Sequence, residues 1–297
     1  YDKNGNIKTL KRYGEVVSGV PLITNANDFG VMDNLTYTYD NGNRLMKVAD
    51  AAPIDSFGFK DDPGALNQAP DTVDDYTYDA NGNMLTDANK EISTQITYNH
   101  LNLPTKIVFP TGNITYVYNA NGEKMQKAVY LTSNAVTTTT DYLNGFQYEK
   151  INTGAADLKF FPVSEGYVQV SSGSYKYFFQ YKDHVGNIRL TYQDKQNDGV
   201  VDIADIEEEN NYYPFGLKQK GYNFTASSSI ALKYKYQGQE RQDELGLNWD
   251  SFKWRNYDYA IGRFMSIDPL AEKYPYNSTY AFQENKMGMG RELEGLE

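Results

Sequence analysis

Apolar and polar side chains alternate along most of the chain, and the alternation comes in copies. Tyr37-Thr38-Tyr39 is followed by Asp40-Asn41-Gly42-Asn43, and Tyr76-Thr77-Tyr78 by Asp79-Ala80-Asn81-Gly82-Asn83. Tyr116-Val117-Tyr118 is followed by Asn119-Ala120-Asn121-Gly122-Glu123, and the chain opens on Tyr1-Asp2-Lys3-Asn4-Gly5-Asn6. A degenerate copy, Ile96-Thr97-Tyr98-Asn99-His100-Leu101-Asn102, lies between the last two full ones. Tyr78, Tyr98 and Tyr118 mark a period near 20 residues, the signature of a repeat architecture. Tyr-x-Tyr puts two rings on one face of a strand. Asn-Gly supplies the positive φ of a tight hairpin turn. The residues after the turn, such as Arg44–Val48, alternate again, so each unit reads as strand, turn, strand. Units of this kind pair edge to edge into a long coiled sheet.

Helical signals are scarce: two turns over Asp202–Glu209 and one over Leu270–Lys273. Residues 50–75, with Pro53, Pro63, Gly64 and Pro70, read as a loop inserted between repeat strands. The Thr-rich run over 131–140 fits an exposed strand or a linker. Strand-like alternation resumes at Phe160-Phe161 and at Tyr175–Phe179.

Composition narrows the chemistry. The 297 residues hold 27 tyrosines, two histidines and no cysteine. Disulfides, thiolate metal sites and a cysteine nucleophile are excluded, and two histidines, His100 and His184, cannot make a three-histidine metal site. His184 reads as a turn or packing residue and His100 as exposed. The net charge of −11 argues against a nucleic-acid footprint and against adsorption to anionic membrane. No apolar run approaches the length of a membrane-spanning helix, and the mean hydropathy is −0.67. Tyr1 opens in mid-motif, so the chain reads as part of something longer.

The repeats resemble those of the YD-repeat, or Rhs-repeat, proteins, and the resemblance sharpens towards the C-terminus. Asp183-His184-Val185-Gly186-Asn187-Ile188-Arg189 resembles the start of the Rhs repeat-associated core. Asn211–Gly216, Tyr234–Glu240, Arg255–Asp258 and Gly262–Leu270 follow in that family's order. The resemblance implies an all-β fold in which YD-repeat hairpins form a long coiled sheet, part of a hollow shell closed by a core domain with little helix. It implies a repeat segment over 1–182 and a core domain over 183–297. It also implies a bacterial, secreted or cell-surface protein whose partners are its own C-terminal toxin domain as cargo, a secretion machinery and surface glycans.

In that family the core resembles an intramolecular aspartyl protease that cuts the chain just behind itself, usually after Asp-Pro-x-Gly-Leu. Here the closing residues are Glu292-Leu293-Glu294-Gly295-Leu296-Glu297. Gly295 and Leu296 match, Glu292 stands where the family has Asp, and Leu293 replaces Pro. Asp268 matches the second aspartate and Arg255 the accompanying arginine, which implies one cut between Leu296 and Glu297. Two carboxyls held close share a proton, so one can activate water while the other protonates the leaving amide. Glu is one methylene longer than Asp, so the pair geometry requires the backbone to retreat. The competing reading is that Asp268-Pro269 merely starts a turn.

A second candidate is a calcium loop. Asp194, Gln196, Asp198, the Val200 carbonyl, Asp202 and Asp205 fall at ligand positions of a twelve-residue loop, with Gly199 at its sharp turn and Val201 at its packed apolar position. The shorter Asp at the last position resembles the dockerin version, and the competing reading is an acidic turn between strands. Calcium here would be structural. Trp249, Phe252, Trp254, Tyr257 and Tyr259 read as core and Glu207-Glu208-Glu209 as a solvated face. Four Asn-x-Thr sequons carry no information in a bacterial family. Two function classes stay open: a toxin-delivery shell that cleaves itself once, and a cell-surface adhesive or carbohydrate-binding repeat protein that does not.

Overall fold

The structure is a computed structural model that describes residues 1–15, 29–52, 57–62, 73–171, 173–220, 223–225 and 233–296. Pro53, Pro63, Gly64, Pro70 and Glu297 lie outside the described residues. The described strands are all antiparallel and form open sheets, and no described residue is α-helical. The all-β expectation is met.

The first sheet joins β1 (Thr9–Glu15), β2 (Phe29–Tyr39) and β3 (Leu45–Asp50). A hairpin follows, β4 (Tyr76–Tyr78) with β5 (Met84–Asp87). A twelve-stranded meander then runs in sequence order from β6 (Thr97–Tyr98) to β17 (Phe224–Thr225). The last sheet holds β18 (Glu240–Gln242), β19 (Trp249–Ser251), β20 (Asn256–Asp258) and β21 (Arg263–Phe264). The position expected to separate repeats from core, between 182 and 183, falls within the meander, because β15 (Ile188–Tyr192) pairs with β14 (Ser174–Lys182).

The repeat turn explains the register. In Asp79–Asn83 the Gly82 N–H donates to the Asp79 carbonyl and the Asp79 N–H to the Asn83 carbonyl. The Asp79 carboxylate accepts the Asn83 N–H at 2.8 Å, an Asx cap over the turn. Gly82 supplies the left-handed residue at φ +77° while Asn81 does not, so the turn carries a one-residue bulge rather than the two-residue form. The same caps recur at Asp2, Asp40, Asn99 and Asn119. Asp183–Asn187 repeats it too, which makes that segment one more repeat turn in geometry.

Tyrosine alternation works as read. Tyr37, Tyr76 and Tyr116 are buried in one continuous hydrophobic core, with Tyr39, Tyr78 and Tyr118 packed at its edge. That core also contains Trp249, Phe252, Tyr257, Tyr259, Phe264 and Phe282. Every described residue of β18, β20 and β21 is buried, so the four-stranded sheet is covered on both faces. Its polar side chains are therefore paired: Arg241 binds Asp250 at 3.0 Å and lies 3.7 Å above the Tyr259 ring. The repeats grip the chain ahead of Asp268. Met84 N–H donates to the Met265 carbonyl, and the Tyr280 hydroxyl to the Gly82 carbonyl at 2.8 Å. A Cβ on Gly82 would lie 2.4 Å from Ile267, so this turn must be glycine to seat against the segment.

Two local expectations are corrected. Residues 203–205 form a single 3-10 turn and Ile206–Glu209 is a strand, β16, rather than a helix. Glu207 and Glu208 are buried, not solvated. Lys195 reaches Glu207 at 3.0 Å, and Lys235 and Lys218 both reach Glu208. Those partners lie far enough along the chain that charge alone reads as exposure. The Leu270–Lys273 segment is a series of turns. The Thr-rich run enters β10 (Val136–Leu143).

Burial pushes the Asp87 carboxyl up to about 7; Lys90 opposes the rise while Asp258 and Asp75 add to it. An aspartate with an ordinary value of about 3.9 when unfolded then binds its proton more tightly when folded. Its contribution to stability is present below about pH 4 and is lost as pH rises towards 7. Asp87→Asn keeps the cap on the Lys90 N–H and removes the titration. Urea unfolding at pH 5 and pH 8 should show a loss on the order of a few kcal/mol in the unaltered chain relative to the variant. Equal pH slopes in the two proteins would refute this.

Candidate functional site

Arg255 closes the turn that leads from β19 into β20, with the Phe252 N–H donating to the Arg255 carbonyl at 3.1 Å. Its side chain runs into the core, where the guanidinium lies 3.7 Å above the Phe264 ring. Asp268 follows β21, and Glu292 lies in the closing segment. The structure brings all three together with exposures of 1, 2 and 2%. Arg255 Nη2 lies 2.6 Å from Asp268 Oδ2 and 3.8 Å from Glu292 Oε1, so both carboxyls flank one guanidinium nitrogen.

Each carboxyl is also placed by backbone. Asp268 Oδ1 accepts the Leu270 N–H at 2.7 Å, and the Asp268 N–H donates to the Thr279 carbonyl at 2.9 Å. The turn reading of Asp268-Pro269 and the pairing with Arg255 thus hold at the same residue. Glu292 Oε2 accepts the Gln283 N–H at 2.9 Å, and the Glu292 N–H donates to Gln237 Oε1 at 2.8 Å. Gln237 lies within the Tyr234–Glu240 motif but is not singled out as a site residue, and Gln283 carries no signal in the sequence.

The segment after Glu292 folds back onto Arg255. Leu296 N–H donates to the Leu293 carbonyl, and Glu294 and Gly295 have φ +58° and +84°. This tight turn presents the Gly295 carbonyl to Arg255 Nε at 2.6 Å and the Glu294 carbonyl to the Trp254 N–H at 3.1 Å. A Cβ on Gly295 would meet Arg255 N and Phe252 Cβ at 3.2 Å, so glycine lets the turn lie flat on the Phe252–Arg255 turn. Leu296 is half-buried beside the group, and Glu297 is outside the described residues. A cavity of about 10 Å³ borders Arg255, with Trp249, Asn256 and Ser266 in its wall. That is room for about one water.

The chemistry open to this arrangement is acid–base catalysis on a peptide carbonyl. Two carboxyls and a guanidinium lie out of water, where charge interactions are strong, next to a tight turn whose Glu294 and Gly295 carbonyls are already oriented. His184 plays no part: it is exposed, with Nε2 2.9 Å from the Gly288 carbonyl. His100 is exposed in its repeat turn.

The acidic loop at 194–205 is built differently. Asp194 accepts the Asp198 and Gly199 N–H groups, Asp198 accepts that of Val200, and Asp202 accepts that of Ala204. Two backbone N–H donors, from Asp202 and Lys195, hold the Asp205 carboxyl below its usual range. Gly199 turns the loop at φ +74° as expected, whereas Val201 is exposed rather than packed. Gln196 is exposed. Among the described residues no three acidic or histidine side chains converge to hold a metal. As placed, these residues do not form a calcium cage, and calcium binding is a proposal that requires Asp194, Asp198 and Asp202 to turn inward. Calorimetry with calcium chloride should then show heat that Asp198→Ala abolishes. No heat in the unaltered chain would remove calcium from the account.

The fold is shared with parts of much larger solved structures. Among solved structures, the chain is similar to a crystal structure of TcdB2-TccC3-Cdc42 at 19% identity and a TM-score of 0.65, covering 97% of this chain and 15% of that one. It is similar to TcdB2-TccC3 without the hypervariable C-terminal region at 20% identity and a TM-score of 0.53, covering 96% of this chain and 16% of that one. A Tc holotoxin pore of Photorhabdus luminescens bearing a TccC3 mutation aligns at 17% identity and a TM-score of 0.55, covering 91% of this chain and 17% of that one. At such identities the likeness is one of fold, and the chain spans about a sixth of the length of these neighbours. No family model and no curated protein matches the chain.

Proposed function

We propose that this chain is the closing part of a shell that holds its own C-terminal toxin domain, and that Arg255, Asp268 and Glu292 cut the backbone once, between Leu296 and Glu297. The observation that carries the reading is the single buried guanidinium that touches Asp268, Glu292 and the Gly295 carbonyl at once. Arg255 has five N–H donors to satisfy out of water, and it directs them to two carboxyls and to the turn next to the expected cut, which places that turn beside the acid pair. The fold neighbours supply context. They contain TccC3, and one is described as lacking a hypervariable C-terminal region, the place a cargo would occupy.

The step balances without a cofactor. Water attacks the Leu296 carbonyl, and one carboxylate takes its proton. The neighbouring carboxylic acid gives a proton to the Glu297 nitrogen as the peptide bond breaks. Arg255 keeps both carboxyls and the turn in one frame, which supplies proximity rather than new chemistry. After the cut the cargo is held by enclosure and no longer by the chain.

Cutting within one molecule has a kinetic signature. With a reporter domain joined after Glu297, release should follow a first-order course whose rate constant is unchanged over a hundredfold dilution. A rate proportional to protein concentration would mean cutting between molecules and would overturn the proposal.

A further inference from the structure

Gln237 is fully buried and sits in the left-handed region at φ +50°, followed by Gly238 at φ +71°. A side chain rarely stays there unless its surroundings hold it. Here they do. The Gln237 N–H donates to Asn187 Oδ1 at 2.9 Å, and Asn187 is tied by Nδ2 to Asp183 at 2.8 Å. The Gln237 carbonyl accepts Arg291 Nη2 at 3.0 Å, and its Oε1 accepts the Glu292 N–H at 2.8 Å. One residue therefore grips two successive positions of the closing segment and roots them in the Asp183–Asn187 turn. Because Glu292 N can only donate, the facing amide atom is the oxygen. Nε2 is then a buried donor with no partner among the described residues.

A second constrained segment approaches from the other side. Gln283, Glu284 and Asn285 all have positive φ, and this left-handed run delivers the Gln283 N–H to Glu292 Oε2. Consecutive non-glycine residues in that region are costly. Glu292 is thus fixed at its backbone by one strained element and at its carboxylate by another. This answers the length problem of a Glu in place of Asp. The backbone has to stand back by about one methylene, and the Gln237 side chain is what holds it there.

We propose that Gln237 is a positioning residue for Glu292, holding the backbone from which the longer carboxylate reaches Arg255. The proposal rests on the self-cleavage reading above. Its test uses the full chain with a reporter domain after Glu297 and follows cleavage from pH 4 to pH 9. Gln237→Met keeps the length of the side chain and loses the acceptor. It should cut about tenfold slower or worse at every pH. Gln237→Glu keeps the acceptor for the Glu292 N–H and puts a negative charge beside the pair. It should still cut, with its pH–rate profile displaced to higher pH by about one unit, since a like charge disfavours ionisation of its neighbour. The displaced profile reports that the 237 side chain lies beside the pair, and the slowing in Gln237→Met reports its hold on the Glu292 N–H.

Asp268→Asn runs alongside. If it is inert while both Gln237 variants cut with the unaltered rate and profile, the positioning role is wrong and the cutting group stands. If Asp268→Asn cuts normally, the self-cleavage reading itself has failed. Should Gln237→Met lose its folded circular dichroism spectrum, Gln237→Glu decides alone: a folded protein with an undisplaced profile overturns the proposal.

Discussion

Asp268→Asn, in the chain extended past Glu297 by a reporter domain, is expected to leave one uncut polypeptide. The substitution is close to isosteric. The amide oxygen can still accept the Leu270 N–H, as Asp268 Oδ1 does at 2.7 Å, so the turn is kept. What disappears is the carboxylate 2.6 Å from Arg255 Nη2 and its capacity to take or hold a proton. Loss of a general acid or base costs roughly 10²- to 10⁴-fold in rate. Glu292→Gln should do the same, because the amide oxygen can still accept the Gln283 N–H, as Glu292 Oε2 does at 2.9 Å, and only the ionisable group is lost. Denaturing electrophoresis after a fixed incubation reads the outcome. Cleavage of both variants at the unaltered rate and the same bond would take Asp268 and Glu292 out of the mechanism.

Glu240→Ala is expected to destabilise the fold by about 3–5 kcal/mol, the range for removing one member of a buried charge pair. Glu240 on β18 binds Lys124 at 2.6 Å and Lys127 at 2.9 Å, and both its oxygens accept from the Tyr142 hydroxyl. The two lysines lie on β9 (Lys124–Leu131) and Tyr142 on β10, so this carboxylate ties the four-stranded sheet to the meander. Burial opposes its ionisation, yet Lys124 and Lys127 outweigh burial and hold the carboxyl far below the usual carboxylate range. The folded-state value is depressed, so the stabilisation is present above the ordinary glutamate range and is lost as pH falls below that range towards the folded value. In the variant Lys127, only 2% exposed, keeps Glu244 alone as its counter-charge. Urea unfolding at pH 7 measures the effect, and a loss below about 1 kcal/mol would show that the pair does not hold the two sheets together.

What could be read in advance follows from the range of each interaction. The repeat turns were legible because everything that makes them lies within five residues: an Asx side chain, a glycine at positive φ and an alternating strand on each side. The tyrosine faces were legible for the same reason. Arg255, Asp268 and Glu292 were found through ordered motifs, because nothing local to Arg255 announces a partner 37 positions away at Glu292. The strand at Ile206–Glu209 was missed because three consecutive glutamates read as a wet surface, while Lys195, Lys218 and Lys235 neutralise two of them from outside the segment. Gln237 and Gln283 were invisible as site residues. Their contribution is one side-chain oxygen and one backbone N–H, delivered from left-handed segments that no hydrophobic pattern records. The acidic loop shows the converse: a full set of ligand positions in sequence, with its carboxylates turned to backbone amides in the fold.

A shell with free cargo differs from an uncut chain in one thing, whether and where the backbone is cut. Intact mass spectrometry of the freshly purified chain, carrying its reporter domain after Glu297, reads this directly. Two species are predicted, one ending at Leu296 and one beginning at Glu297, and no second cut. A single mass for the uncut chain after prolonged incubation, or a break at any other bond, would contradict it.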